Sequence, residues 1–450
     1  MANPMRTNLR RVLVGALMGA GLLAAPAGAI DLMRSYELAL LNDGQLKVAR
    51  ARADSGREVL PQALAQVLPN LSLSGSYGET EQNRTLGSVT DPTSRYPTTT
   101  NNVTLRQTLY RQFQFSQIDQ ARSKIVGVDA QLDKDFQTLG VRLVNAYFTA
   151  LFARDSLDLI GAQKLSYEAQ LRAAKLAFAA GSGTRTDIDD VQTKYDLLLA
   201  QEIEARQQLG SATLQLQIFV GEPVGYLSTL DATRFQADAH DPDTLQSWID
   251  RALEFSPDLR ALKARWDAAT SGIQMAQAGH LPTLDLVAQH NYSKGDSNNV
   301  FPQTINKTNY IGVQLTVPIF AGGGVNSAVR QATADAEEAR QGYEYARDDL
   351  RLKVQNQYDA VRAGISRVHA LERALVSADQ NVLSNRKGVL AGTRTTLDVL
   401  NVEQQRFNTQ VDLAKVRYQI LVAWATLLSY VGDLDTDQIA RINRVLKGAA

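Results

Sequence analysis

Apolar residues in the last third of the chain recur every three or four positions. Along Tyr343, Ala346, Leu350, Val354, Tyr358, Val361, Ile365, Val368, Leu371, Leu375, Ala378 and Val382 the mean step is about 3.5 residues, the spacing of a coiled-coil seam. The stripe is narrow and polar residues flank it, so such a helix packs closely along its neighbours without a thick core of its own. Proline breaks helix interiors, and none occurs between Pro97 and Pro223 or after Pro318. These two tracts predict helices over 111–180 and 326–390, about 105 and 98 Å long at 1.5 Å per residue. Shorter helical tracts are predicted at 36–68, 186–219, 245–281 and 395–430, each about 50 Å. Two of those stacked end to end match one long helix. The seam alone allows a soluble helical bundle, but ordinary globular helices are far shorter than these.

In four places the period changes to two. Leu71, Leu73 and Tyr77 alternate with Ser72, Ser74 and Ser76, and Val103, Leu105 and Leu109 with Thr104, Arg106 and Thr108. Leu284, Leu286, Ala288 and Tyr292, and then Ile311, Val313, Leu315 and Val317, repeat the pattern. Strands are expected at about 71–79, 101–109, 283–293 and 309–317, each with one apolar and one polar face. Roughly nine residues is what a tilted strand needs to cross a bilayer. A half-buried sheet in a soluble domain is the alternative. Here each strand pair encloses a polar loop, 80–100 or 294–308, and runs into seam-bearing helices, so no second layer is left to cover the apolar face and lipid can do so. Tyr77, Tyr96, Tyr292 and Tyr310 are candidates for aromatic girdles.

The chain repeats itself. LPNLSL at 68–73 recurs as LPTLDL at 281–286, Val103-Thr104-Leu105 as Val313-Gln314-Leu315, and GTRT at 183–186 as GTRT at 392–395, at offsets of 213, 210 and 209. Landmarks in one order at a nearly constant offset indicate a duplication. The expected organisation is a first repeat over 30–220, a linker over 221–244, a second repeat over 245–431 and a C-terminal segment over 432–450. Four strands cannot close in lipid, where unpaired backbone edges are intolerable. Two copies give eight strands, a barrel filled by its own side chains; three give twelve, wide enough for a lumen. The expected fold is mostly α with membrane β; with three copies the twelve strands continue into a ring of twelve helices, a hollow cylinder.

Composition narrows the function. Arg6, Arg10 and Arg11 precede an apolar stretch over 12–25, and Ala27-Gly28-Ala29 follows, so residues 1–29 have the layout of a cleaved signal peptide. Removing it takes three arginines and no acid from a balance of 47 Lys+Arg against 47 Asp+Glu, which leaves a mildly acidic chain without the basic excess of a nucleic-acid binder. The absence of cysteine excludes disulfides, thiolate metal sites and cysteine nucleophiles. His240, His280, His290 and His369 are scattered without metal-ligand spacing, and no nucleophile elbow occurs. Gly322, Gly323 and Gly324 lack a following Walker lysine and read as a flexible junction. No enzyme activity, metal or cofactor is expected.

The string VPIFAGGGVNS at 317–327, with Ala328, Val329 and Gln331 after it, resembles the strand-to-long-helix junction of the TolC family of outer-membrane efflux and type I secretion ducts. The GTRT segments resemble the family's periplasmic tip turns, and the likeness covers essentially the whole mature chain. It implies a homotrimeric 12-stranded outer-membrane β-barrel continuing into a 12-helix periplasmic α-barrel, a passive exit duct recruited by a periplasmic adaptor protein and an inner-membrane transporter of the ABC or RND type. Carried over by position, Asp398 and Asn401 stand at the entrance constriction, Asp190 and Arg394 form a gating latch, and Gly183, Thr184, Gly392 and Thr393 belong to adaptor-docking turns. Pro69, Pro282, Pro318, Gly322 and Gly323 mark the barrel–helix junction. Two positions depart from the family's best-known member: Asn401 replaces a second ring aspartate and Val389 a latch tyrosine, so the entrance is expected to be less acidic and less firmly tied. Asp187, Asp189 and Asp190 also suit the first turn of a helix, where the macrodipole favours acids. A non-conducting coiled-coil spacer or adhesin anchored in the outer membrane is the competing function.

Overall fold

A computed structural model describes residues 29–83, 85–90, 93–240, 242–297 and 301–447. The expected signal peptide lies outside these residues apart from Ala29. The chain is mostly helical, and its described residues fall into two compact units, one within 29–41, 146–236 and 439–447, the other within 42–145 and 237–438. The helices are α1 (Leu32–Asn42), α2 (Gly44–Arg57), α3 (Val59–Ala65), α4 (Gln112–Ala179), α5 (Arg185–Val220), α6 (Leu245–Phe255), α7 (Pro257–Gln277), α8 (Gly324–Leu390), α9 (Thr396–Tyr430) and α10 (Thr436–Asn443). The strands are β1 (Asn70–Gln82), β2 (Thr85–Leu86), β3 (Val89–Thr90), β4 (Ser94–Tyr110), β5 (Thr283–Ser297) and β6 (Phe301–Thr316).

The long helices α4 and α8 are unbroken, because the proline-free tracts leave every interior N–H free to bond. Two tracts expected as single helices are divided. Asp43 caps α2, its carboxylate accepting from Leu46 N at 2.7 Å while Arg142 holds it at 3.1 Å, so 36–68 splits. Pro257 occupies the first turn of α7 and splits 245–281, since a proline there is tolerated only where no preceding carbonyl needs its N–H. In α8 the seam residues Leu350, Val354, Tyr358, Val361, Ile365 and Val368 are buried, and Trp248 of α6 meets Trp424 of α9 edge to face at 5.5 Å.

In the first unit the start of the chain is tied to its end. Asn443 Oδ1 accepts from Leu32 N at 3.0 Å, and its Nδ2 donates to Asp31. The buried Tyr147 hydroxyl lies 3.1 Å from the carbonyl oxygens of both Ile30 and Ser228, and burial pushes its pKa up.

The second unit contains an antiparallel sheet in the order β1-β4-β5-β6, with β1 and β6 at its edges. All four strands extend beyond the apolar alternation, because hydrogen-bonded pairing continues through polar residues such as Thr98, Thr99 and Thr100. The register places Leu71, Leu73, Val103, Leu105, Leu284, Leu286, Ile311, Val313 and Leu315 on one face. Of the tyrosines, Tyr77 and Tyr292 share that face while Tyr96 and Tyr310 have the opposite parity; the Tyr310 hydroxyl folds over Gly312. The alternation expected through Leu109 is interrupted by a bulge between Thr108 and Tyr110. On the polar face Asp285, only 3% exposed, receives Arg111 Nε at 3.1 Å and Nη2 at 2.5 Å, which ties β5 to the residue just before α4. Pro69 and Pro282 each precede a strand, and Pro318 follows β6. Gly322 and Gly323 adopt φ of 60° and 80°, a left-handed conformation open to glycine, and turn the chain into α8. Between Pro318 and these glycines, Ile319 and Phe320 stand 95% and 89% exposed. Among the described residues no helix is long and apolar enough to cross a membrane.

Candidate functional site: two helix-hairpin tips

The candidate site residues cluster where α4 turns into α5 and where α8 turns into α9. Both turns use the same local chemistry. At the end of α4, Gly181 takes φ 75°, and the carbonyl of Ala177 accepts from Ser182 N at 2.9 Å and Gly183 N at 3.1 Å. Gly392 takes φ 73°, and the carbonyl of Gly388 accepts from Thr393 N at 2.9 Å and Arg394 N at 3.2 Å. A left-handed glycine after the last turn satisfies carbonyls that the helix end leaves open. Each following helix then opens on a capping box: Thr184 with Asp187, and Thr395 with Asp398, where the hydroxyl accepts from the acid's backbone N–H and the carboxylate accepts from the threonine N–H at 2.9 Å.

These equivalences correct the sequence alignment of the two turns. Gly181 matches Gly392, Thr184 matches Thr395 and Asp187 matches Asp398, a constant offset of 211 rather than the 209 of the identical GTRT strings. Gly183 and Thr184 therefore do not overlay Gly392 and Thr393. Gly183 is the counterpart of Arg394, and Asp190 that of Asn401.

Each site residue then has a defined setting. The Asp398 carboxylate is engaged by Thr395, whose N–H and hydroxyl hold its pKa below the ordinary aspartate value. Asn401 is exposed one turn further along α9, and Val389 is half-buried in the last turn of α8. Arg394 is exposed, its stem lying across Gly388. Asp190 is half-buried in the first turns of α5, next to Asp189, which pairs with Arg185 at 3.2 Å. Asp190 belongs to the first unit and Arg394 to the second.

Behind the tips lie ion pairs that sequence reading missed. Glu403 in α9, only 8% exposed, receives Arg386 Nη2 at 2.6 Å; Arg406 pairs with Asp379, and Arg417 with Glu372 at 2.8 Å. In the first hairpin Lys164 pairs with Glu202 at 2.8 Å, and Tyr195 donates to Glu168 at 3.1 Å. Lys164 and Arg206 hold the Glu202 pKa below its ordinary value. The signal was in the sequence: folding the chain back at each turn brings opposite charges nearly equidistant from the tip into register. Among the described residues no group of His, Asp or Glu is arranged to hold a metal ion.

The family description "Outer membrane efflux protein" matches residues 35–222 and 248–433. The alkaline protease secretion protein AprF of Pseudomonas aeruginosa is 34% identical over 92% of this chain and 87% of its own length. The proteases secretion protein PrtF of Dickeya chrysanthemi is 29% identical over 96% of this chain and 95% of its own. The solved structure of the outer membrane protein VceC from Vibrio cholerae shares the fold with a TM-score of 0.77 at 18% identity, covering 90% of this chain and 97% of that one.

Proposed function

The chain belongs to the outer membrane efflux protein family, and from that premise we propose that it forms the outer-membrane exit duct of a type I protein secretion system or tripartite efflux pump. Three copies close a twelve-stranded barrel that continues into a twelve-helix periplasmic tunnel. The observation that carries this reading is the sheet: four strands with free edges at β1 and β6 and an apolar face exposing Leu71, Leu73, Ile311, Val313 and Leu315. Such a sheet is stable in lipid only when its edges are joined to other copies. The duct is passive, so energy comes from an inner-membrane transporter, of the ABC type in secretion or the RND type in efflux, linked through a periplasmic adaptor. The names of AprF and PrtF favour secretion of polypeptide cargo.

The tips form the periplasmic entrance. Threefold rings of Asp398 and Asn401 narrow it, Arg394 and Asp190 latch neighbouring hairpins, and the turns at Gly183–Thr184 and Gly392–Thr393 receive the adaptor. Because the capping box already uses one oxygen of Asp398, a cation held by the ring would be bound through the other. Ion conductance of the purified protein in a planar bilayer tests the duct directly, since a spacer passes no current. One cysteine on β1 paired with one on β6 in the same, otherwise cysteine-free, chain should cross-link copies into a ladder ending at a trimer. A ladder ending at a dimer, or a silent bilayer, overturns the reading.

A further inference from the structure

The apolar face of the sheet changes character toward the end remote from the helices. On β5 the residues sharing that face are, in order, Leu284, Leu286, Ala288, His290, Tyr292 and Lys294; their partners on β6 are Leu315, Val313, Ile311, Asn309, Lys307 and Ile305. The register between these strands is unbroken over this span, so parity alone places Lys294 and Lys307 on the face that carries the leucines. They are diagonal neighbours, with Cβ atoms about 7 Å apart. Their long stems allow both ammonium groups to reach one anion.

Their height fits a headgroup. Lys294 lies ten residues beyond Leu284, about 34 Å along the strand and about 24 Å along the membrane normal at a 45° tilt, close to the roughly 25 Å apolar band of outer-membrane barrels. Tyr77 and Tyr292 on the same face lie near this level, as aromatic residues do at an interface. The polar groups just below are already satisfied, with His290 Nδ1 donating to Asn309 Oδ1 at 2.5 Å. Arg95 is neutralised by Glu81 at 2.8 Å, whereas among the described residues neither lysine has a carboxylate partner. Glu79 stands on the same face but on β1, two strands from β5, about 10 Å away.

We infer that Lys294 and Lys307 together bind the phosphate of a phosphorylated glycolipid in the outer leaflet, whose acyl chains lie along the leucine-rich face below. This rests on the reading of that face as lipid-exposed and of the helices as periplasmic, which puts the lysines at the outer surface. The test is a titration of the full-length protein in detergent with bis-phosphorylated lipid A, its dephosphorylated counterpart and phosphatidylglycerol, followed by native mass spectrometry. The double variant K294Q/K307Q should weaken binding of phosphorylated lipid A about thirtyfold, the order expected for two basic side chains at an anionic surface. Its binding of the dephosphorylated lipid should not change. Equal affinity in variant and parent overturns the proposal, and so does a parent that binds phosphatidylglycerol as tightly as lipid A. The single variant Lys307→Glu, on an exposed position, repeats the test if the double variant assembles poorly. Bilayer conductance is recorded on the same samples: a silent parent counts against the duct itself, while an unchanged current with altered lipid binding isolates the lysines.

Discussion

Arg394 and Gly388 occupy one another's space. A Cβ added to Gly388 would lie 2.6 Å from Arg394 Cγ, so the arginine can fold back along α8 only because residue 388 has no side chain. The other hairpin makes the opposite choice at the equivalent positions: Ala177 has its methyl, and Gly183 leaves room for it, since a Cβ there would stand 3.1 Å from Ala177 Cβ. Gly388→Ala should therefore dislodge the arginine without removing its charge. If Arg394 latches the entrance, Arg394→Ala raises single-channel conductance and Gly388→Ala moves it part of the way. A Gly388→Ala channel identical to the parent, beside an altered Arg394→Ala channel, would show that the stem's position is irrelevant.

Asp398 serves its helix and, as proposed, the entrance, and these roles separate by substitution. Thr395→Ala removes the capping hydroxyl but keeps the carboxylate; Asp398→Asn removes the charge. Divalent-cation block of the channel should survive the first change and vanish with the second. The pH dependence has a definite sign: the Asp398 pKa is depressed below 3.8, so the carboxylate stays ionised through the ordinary aspartate range and both block and cap are lost only as pH falls below it. Block that disappears already near pH 5 would point to another group.

The ion pair between Asp285 and Arg111 is buried on the carboxylate side, and breaking one partner strands the other. Asp285→Ala or Arg111→Ala should each cost about 2–3 kcal/mol, in line with hydrogen bonds to charged groups. Thermal unfolding in detergent measures this, and the double variant should lose less than the sum of the two. Strict additivity would mean that the two groups act independently.

Tyr147→Phe removes a hydroxyl shared by Ile30 and Ser228 and should cost about 1–2 kcal/mol, seen as faster amide hydrogen exchange in the first turns of α1. Because burial raises the phenol pKa above 10, the stabilisation is complete below that value and fades as pH rises through the higher folded value. Unchanged exchange there would leave Asn443 as the principal tie.

Helix length was legible because proline and the 3.5-residue seam act locally, and the four strands because their apolar face is written in alternate residues. What escaped reading depends on partners far along the chain or on backbone conformation. The GTRT strings misled by two positions because helix ends are set by the left-handed glycine and the capping threonine, and Gly181 and Thr184 fill those roles in the first turn while Gly392 and Thr395 fill them in the second. Tyr96 and Tyr310 have the same composition as Tyr77 and Tyr292, and only strand register separates their faces. Nothing in the local sequence marks Asp43 as the partner of Arg142 or Asn443, near the end of the chain, as the acceptor for Leu32, because both contacts are made across the fold.

The free edges of β1 and β6 have a genetic corollary. If three copies close the ring as proposed, every seam must close, so one copy with a damaged edge spoils two sound companions. At equal expression of damaged and intact alleles about one assembly in eight would contain no faulty member, and a lesion confined to one border strand would behave as dominant rather than recessive.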